Sequence, residues 1–250
     1  KELAGNFKTV TERSFGVPDG VNSGEFGIGI VIDFFGFSSK ASGFPVEFVY
    51  PTVTALVPAN VGMVKNAPHP QAAAAFIEFL LSDEGQMLLF DPKISRLPVK
   101  PEIYAKAPPG LPNPFEDSSI GAAVNFDSDL SEGRYNLVNS LYDQLVTFRL
   151  DDLREATKAV YAAEATLAEK PNPEAQKLVD GARALIAAVP ITEEQANDKA
   201  FAAIFEKKRE KATDEVPQRQ AEVEEQWDRF ARENYAKARD MARRAEGMAD

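Results

Sequence analysis

The sequence has 250 residues, of which 44% are hydrophobic and 27% charged, a composition typical of a globular protein with a buried core. Its formal net charge of −11 argues against nucleic acid as a partner, because phosphate backbones require clustered positive charge. The sequence contains no cysteine, which excludes disulfides, thiolate metal sites and cysteine nucleophiles. The richest apolar run, 72–81, is interrupted by Glu78, so no membrane-spanning helix is predicted.

The first half of the chain is predicted to contain short strands. Runs of apolar or β-branched residues, separated by glycine and proline, have the character of strands at 8–13, 27–32, 46–50 and 55–64. The second of these runs lacks polar alternation, which is typical of a strand covered on both faces. It ends at Asp33, a carboxylate that is costly to bury unless it is paired or lies at the mouth of a site.

Helices are predicted after these strands. Pro70 is suited to the first position of a helix that runs to Leu81. The side of this helix predicted to be buried carries Phe76, Phe79 and Leu80. Ser82 is predicted to cap a following helix that runs through Phe90. Because prolines recur from 91 to 125, that segment is predicted to be a loop over the surface.

From about residue 130 the sequence predicts helices only. Apolar residues recur at helical spacing in two stripes, at 137, 138, 141, 142 and 145, and at 153, 156, 160 and 167. Asn172 and Pro173 predict the start of a third helix, and the capping-box pattern from Thr192 to Gln195 predicts a fourth. Pro217 is predicted to open a last long helix, with Trp227 in its core-facing stripe.

Three sequence blocks in one order carry a family resemblance. They are the glycine-marked run 23–35, the proline-ended run 45–51, and the segment 59–86, which ends in Ser-Asp-Glu-Gly-Gln. Together they resemble periplasmic solute-binding proteins of ABC importers, in the iron(III), phosphonate and phosphosugar branch. The resemblance implies an α/β fold: a type 2 periplasmic-binding-protein-like lobe, with a mixed sheet and flanking helices, followed by a largely helical C-terminal region.

The same resemblance implies a division of the chain between two lobes that close on a ligand. Residues 1–51 would form part of the second α/β lobe, and 52–95 would return to the first lobe. Residues 96–150 would supply a loop and helices that pack on the second lobe, and 151–250 would form a helical C-terminal extension. Polypeptide before Lys1 would supply most of the first lobe.

The resemblance also bears on metal binding. In iron-binding members, two adjacent tyrosines ligate the metal at the position occupied here by Phe34 and Phe35. A phenyl ring offers no oxygen to hard ferric iron, so ferric iron is disfavoured as the ligand. We therefore expect no metal and no other cofactor, and we expect both phenyl rings to line the ligand pocket.

Polar ligand contacts are expected at three further places. In phosphosugar- and aminophosphonate-binding relatives the position of Asp33 faces the cleft, although the alternative is an aspartate that caps the following turn. Arg13 and Ser14 stand where a strand is predicted to end and a helix to begin, which suits an anion. The alternative there is an ordinary helix N-cap. Tyr50 and Thr52 follow the strand that would cross between lobes, so they are expected to line the hinge side.

The function implied is that of a periplasmic substrate-binding component of an ABC importer. Its partners would be a small anionic ligand, with an organic phosphate or phosphonate favoured, and an ABC permease in the inner membrane. The alternative is a ligand-sensing regulatory protein that presents a phosphorylated metabolite to a membrane sensor protein. No catalytic residues are predicted, because neither a histidine-based triad nor a nucleophile motif is present, so the protein is not expected to be an enzyme.

Overall fold

A computed structural model describes residues 1–118, 120 and 126–249. Its contacts divide the chain into two compact units. The central unit comprises residues 11–127, and the helical unit combines residues 1–10 with residues from 128 onwards. The loop predicted for 91–125 lies partly outside the described residues, at 119 and 121–125. The assignment of chain segments to two lobes of a clamp stays a prediction.

The central unit contains short helices. In chain order they are α1 (Gly16–Asn22), α2 (Asp33–Ala41), α3 (Pro70–Leu80) and α4 (Asp83–Met87), with 3₁₀ turns at Leu88–Phe90 and Pro101–Lys106. The predicted helix beginning at Pro70 is confirmed. The predicted cap is also confirmed, since the Ser82 hydroxyl accepts a 3.1 Å hydrogen bond from the backbone N–H of Gly85.

The prediction of a mixed α/β lobe is wrong, because the described residues contain no β-strand. Three of the segments predicted as strands leave apolar side chains in solvent: Ile28 is 91% exposed, Val49 81% and Val64 71%. The segment 8–13 is also not a strand, and Ala55 makes only an isolated bridge. High β-propensity describes a side chain that fits a half-buried pleated surface, and these segments lack the neighbouring strands that create one.

The buried side predicted for α3 is also wrong. Phe76 is 59% exposed and Phe79 38% exposed. The end of this helix is instead fixed by Gln86, which is buried and donates a 2.7 Å hydrogen bond to the carbonyl of Leu80. The Gln86 side-chain oxygen accepts a 2.7 Å hydrogen bond from the N–H of Val99, and this second bond ties α4 to the segment that follows it.

The helical unit contains the longer helices. They are α5 (Ser128–Tyr142), α6 (Leu150–Glu169), α7 (Pro173–Ala187), α8 (Glu193–Asn197), α9 (Lys199–Ala202) and α10 (Gln218–Ala249), with a π-helical turn at Asp143–Thr147. The predicted starts are confirmed: Asn172 caps α7, and Thr192 forms a capping box with Gln195. In α5 the predicted stripe holds only in part, because Leu137 is buried whereas Val138 is 49% exposed.

The core of the helical unit lies between α6, α7 and α10. Its buried residues include Leu153, Val160, Val179, Ile186 and Tyr235, together with a row of alanines on α10. Trp227 belongs to a second buried cluster, where its ring stacks on Phe205 at 4.9 Å between centroids. Within the described ranges, no helix combines the length and apolar character needed to cross a membrane.

Candidate functional site

Asp33 and Tyr50 form the polar centre of the candidate site in the central unit. Asp33 is the first residue of α2, and one of its carboxylate oxygens accepts a 2.8 Å hydrogen bond from the backbone N–H of Phe34. The other oxygen accepts a 2.8 Å hydrogen bond from the Tyr50 hydroxyl. A carboxylate at this position also interacts favourably with the helix dipole.

The ionisation of Tyr50 is strongly suppressed. Burial raises the pKa of the Tyr50 phenol well above its ordinary value, and the hydrogen bond to Asp33 and the charge of its carboxylate raise this pKa further. At neutral pH the phenol is therefore a hydrogen-bond donor, and Asp33 is its acceptor. Two hydrogen bonds do not saturate a carboxylate, which has about four lone-pair positions, so Asp33 retains capacity to accept from a ligand.

Aromatic packing places Tyr50 over α2. The Phe48 ring lies 5.0 Å from the Tyr50 ring and 4.9 Å from the Phe37 ring, both in edge-to-face geometry. Gly36 makes this packing possible, because a Cβ at that position would lie 2.4 Å from the Phe48 ring. The absent side chain thus lets the segment 46–50 approach the helix closely enough for the Tyr50–Asp33 hydrogen bond.

A second aromatic group adjoins Asp33 along α2. The Phe34 and Phe35 rings are 4.5 Å apart, and Phe15 meets Phe35 edge-to-face at 5.3 Å. The Arg96 guanidinium carbon lies 3.7 Å from the centre of the Phe34 ring, which is cation–π geometry. The structure therefore brings together four residues predicted for the site: Asp33, Phe34, Phe35 and Tyr50.

The structure does not connect three other predicted site residues, Arg13, Ser14 and Thr52, to this group. All three are exposed, and among the described residues no hydrogen bond or ring contact joins their side chains to Asp33 or Tyr50. Ser14 is not the N-cap of α1, because Phe15 occupies that position without a side-chain hydrogen bond. A role for these three residues in ligand binding stays a prediction.

Two residues near the site were not predicted from the sequence. The first is Arg96, which stacks on Phe34. The second is Tyr104, whose pKa is raised to about 12 by burial and, to a lesser extent, by the negative charge of Asp33. Tyr104 is buried and donates a 3.0 Å hydrogen bond to the carbonyl of Pro98. Both residues belong to the proline-rich segment, where no periodic pattern distinguishes an inward-facing side chain from a solvated one.

The donor set favours hydrogen bonding over metal coordination. Among the described residues, no group of three or more histidine, cysteine, aspartate or glutamate side chains is placed to hold a metal ion. The site offers a carboxylate acceptor, a phenol donor, a stacked guanidinium and apolar ring surfaces. Such a combination suits a small polar solute with both donor and acceptor groups.

Among its described residues, the helical unit includes a small cavity and an open groove. The first has a volume of about 10 Å³, which is room for about one water molecule, and is lined by residues including Ser140, Asp143 and Glu224. The second is an open groove of about 460 Å³ beside Trp227 and Phe230. Among the described residues, no charged side chain lines the groove, and its Thr192 hydroxyl already caps α8, so no charge there orients an ionic solute. We therefore take the Asp33 site as the candidate.

Comparison with known proteins bears on this choice. Residues 21–114 match the model of a family described as bacterial extracellular solute-binding protein. The matched residues contain Asp33, Phe34, Tyr50 and Arg96. This part of the chain is therefore similar to an extracellular solute-binding domain, while the branch of that family suggested by the sequence stays a prediction.

Named relatives extend the comparison. Over 209 residues the chain is 32% identical to the phosphoglycerate transport regulatory protein PgtC of Salmonella typhimurium, and equally to that of Salmonella typhi. These matches cover 82% of this chain and 48% of each relative, so the chain spans about half the length of the curated relatives it matches. No solved structure matches the chain.

Proposed function

We propose that the protein binds a small phosphorylated solute in the periplasm and presents the bound state to a membrane sensor protein that regulates transport. The observation that carries this proposal is the similarity of 82% of the chain to proteins named as phosphoglycerate transport regulators. The match of residues 21–114 to an extracellular solute-binding family supports the location and the binding role.

The chemistry of the Asp33 site supports a binding role. The Asp33 carboxylate and the Tyr50 phenol are suited to orient hydroxyl groups, while the Arg96 guanidinium is suited to a phosphate or carboxylate. Recognition of this kind requires no covalent step and no cofactor. A protein of net charge −11 can still bind an anion, because the field at a site is set by the nearest charges.

A direct binding experiment tests the proposal. Thermal unfolding of the purified protein is measured with 3-phosphoglycerate, 2-phosphoglycerate, glycerate and ferric citrate. A ligand at about 100 times its Kd stabilises the folded state by about 2.7 kcal/mol, which raises the Tm measurably. We expect the phosphorylated solutes to raise the Tm and ferric citrate to leave it unchanged. If no phosphorylated solute raises the Tm, the proposal is wrong.

A second candidate is the substrate-binding component of an importer, which the family description of residues 21–114 favours. Uptake of labelled phosphoglycerate in a strain lacking the gene separates the two candidates. A regulator is dispensable for uptake when the transport genes are expressed from an independent promoter, whereas an importer component remains essential. Fractionation of the same cells tests the periplasmic location.

The surface that contacts a sensor can be tested without unfolding the protein. Removing α10 would destroy the core of the helical unit, because Ala231, Ala238 and Tyr235 of this helix are fully or almost fully buried. Exposed charges on the same helix, Arg243 and Arg244, are better targets. If α10 contacts the sensor, the double substitution Arg243→Glu, Arg244→Glu should abolish induction and leave ligand binding intact.

A further inference from the structure

We infer that Arg96 binds the anionic group of the solute while the Asp33–Tyr50 pair binds a hydroxyl or ammonium donor on the same molecule. This inference rests on the proposed function and adds a requirement that the proposed function does not contain. The ligand must carry two chemically different groups, an anion and a hydrogen-bond donor. An anion that has no donor is predicted to bind poorly.

The Arg96 side chain is exposed, and its guanidinium N–H groups bond no other described residue. Its guanidinium carbon is 3.7 Å from the centre of the Phe34 ring, so a face of the group is available for stacking while its N–H edge is not consumed. Among the described residues, the structure records neither an ion pair nor a hydrogen bond for this guanidinium. A guanidinium that is held by stacking and has unpaired N–H groups is complementary to a phosphate or carboxylate.

Arg96 directly follows a hydrogen-bonded turn of the backbone. Ser95 is 7% exposed and has a φ of 49°, a left-handed conformation that is unfavourable for a residue with a side chain. Its N–H donates to the carbonyl of Asp91 at 2.8 Å, and its hydroxyl donates to the carbonyl of Pro92 at 2.8 Å. The N–H of Arg96 donates to the carbonyl of Leu89 at 3.0 Å. These hydrogen bonds fix the backbone from which the Arg96 side chain extends.

The Asp33 carboxylate determines what else the ligand must contain. Its two recorded hydrogen bonds come from Phe34 and Tyr50, which supply no positive charge. A second anionic group placed against this carboxylate would be repelled, whereas a hydroxyl or ammonium would be bound. The backbone N–H of Phe34 donates to Asp33, and the ring of Phe34 stacks on Arg96. Arg96 and Asp33 together therefore select for a solute that carries an anion at one end and a hydrogen-bond donor at the other.

The ligands that test this inference carry different combinations of anionic and hydroxyl groups. 3-Phosphoglycerate has a phosphate, a carboxylate and a hydroxyl; phosphoenolpyruvate has both anions and no hydroxyl. Glycerol 3-phosphate keeps the phosphate and hydroxyls, and glycerate keeps the carboxylate and hydroxyls. Titration calorimetry with all four shows which anion is needed and whether the donor is required, and the same titrations of Arg96→Gln show which anion Arg96 contacts.

The protein variants separate the two halves of the site. Arg96→Gln should weaken binding of 3-phosphoglycerate by about 10- to 100-fold, the range expected for hydrogen bonds to a charged group. Arg96→Lys should recover part of the loss, because it restores charge but not the planar fork. Lys93→Gln, an exposed change in the same turn, should leave the Kd within about twofold. Asp33→Asn should reduce the preference for 3-phosphoglycerate over phosphoenolpyruvate.

The outcomes distinguish the inference from the proposed function. If the unaltered protein binds none of the four solutes, the proposed function fails. If it binds 3-phosphoglycerate and Arg96→Gln binds it equally well, the inference alone is wrong. If circular dichroism shows that Arg96→Gln is unfolded, Phe34→Leu is titrated instead. This variant removes the stacking partner of Arg96 and keeps the positive charge of Arg96. Undiminished binding by Phe34→Leu would then overturn the inference.

Discussion

The Tyr50 hydroxyl lies 2.8 Å from the Asp33 carboxylate, although 17 positions separate the two residues in the sequence. This hydrogen bond joins the start of α2 to a segment that belongs to no helix or strand. After burial, it also raises the pKa of the Tyr50 phenol, because a negative carboxylate opposes the formation of a phenolate.

Asp33→Asn should lower the pKa of the Tyr50 phenol towards its ordinary value. The substitution removes the carboxylate charge and weakens the hydrogen bond, while burial, the largest cause of the raised pKa, remains. Alkaline titration followed by the ultraviolet absorbance of ionised phenols measures the change. The difference between parent and Tyr50→Phe titrations identifies the signal of Tyr50. An unchanged Tyr50 titration in Asp33→Asn would contradict the coupling.

Stability should fall as pH rises above about 10. Burial raises the pKa of Tyr104 to about 12, whereas an unfolded tyrosine titrates near 10. The unfolded chain releases the Tyr104 proton at a lower pH than the folded protein does. The contribution of Tyr104 to the free energy of unfolding is therefore fully present below about pH 10 and is lost as pH rises towards 12. Urea midpoints across this range should fall less steeply in Tyr104→Phe. The exposed substitution Tyr135→Phe serves as the control and should keep the parent slope.

Two glycines should respond oppositely to alanine. A Cβ on Gly85 would lie 2.1 Å from the backbone oxygen of Phe79, so Gly85→Ala must displace the backbone where α3 meets α4. Gly133 lies inside α5 with nothing within 4 Å of such a Cβ. Gly133→Ala should therefore stabilise the helical unit by about 0.5–1 kcal/mol. Urea denaturation measures both, and stabilisation by Gly85→Ala would contradict the close approach.

The buried ion pair of Glu224 and Arg209 should be costly to break. The side chains are 3% and 13% exposed and 2.5 Å apart, and Glu224 also accepts hydrogen bonds from Ser140 and Gln220. Glu224→Ala leaves a buried guanidinium without its partner, so we expect a loss of about 3–5 kcal/mol in the free energy of unfolding.

A surface pair on the same helix provides the matched control for that measurement. Glu222 is 45% exposed and pairs with Arg219 at 3.2 Å. Its substitution by alanine should change the free energy of unfolding by less than about 1 kcal/mol. Comparable losses from the two substitutions would show that burial of Glu224 does not set the cost.

The sequence predicted the helices well because their signals are local. Pro70, Asn172 and Thr192 mark helix starts through a fixed φ or a side-chain cap, and both effects act within one turn. A strand depends on a hydrogen-bonded neighbour that is often distant in the chain, so the apolar run 27–32 does not by itself show whether a neighbouring strand exists. The same difficulty applies to α3, where a helical stripe does not specify what covers it.

The candidate site could be predicted only in part for the same reason. Asp33, Phe34 and Phe35 are adjacent in sequence, so their proximity required no knowledge of the fold. Arg96 reaches Phe34 through a left-handed turn at Ser95, a conformation that sequence rarely signals for serine. The roles of these residues in binding stay predictions that calorimetry can decide.

The division of the chain has a consequence for biosynthesis. Residues 1–10 belong to the same unit as residues from 128 onwards, and Glu2 forms an ion pair with Arg183 at 2.7 Å. A ribosome releases residues 11–127 as one uninterrupted stretch, whereas segment 1–10 packs chiefly on α6 and α7, through contacts that include Asn6 with Tyr161 and Glu2 with Arg183, and so must wait for those helices to emerge. Nascent chains stalled before α6 should therefore leave segment 1–10 accessible to proteases and chaperones.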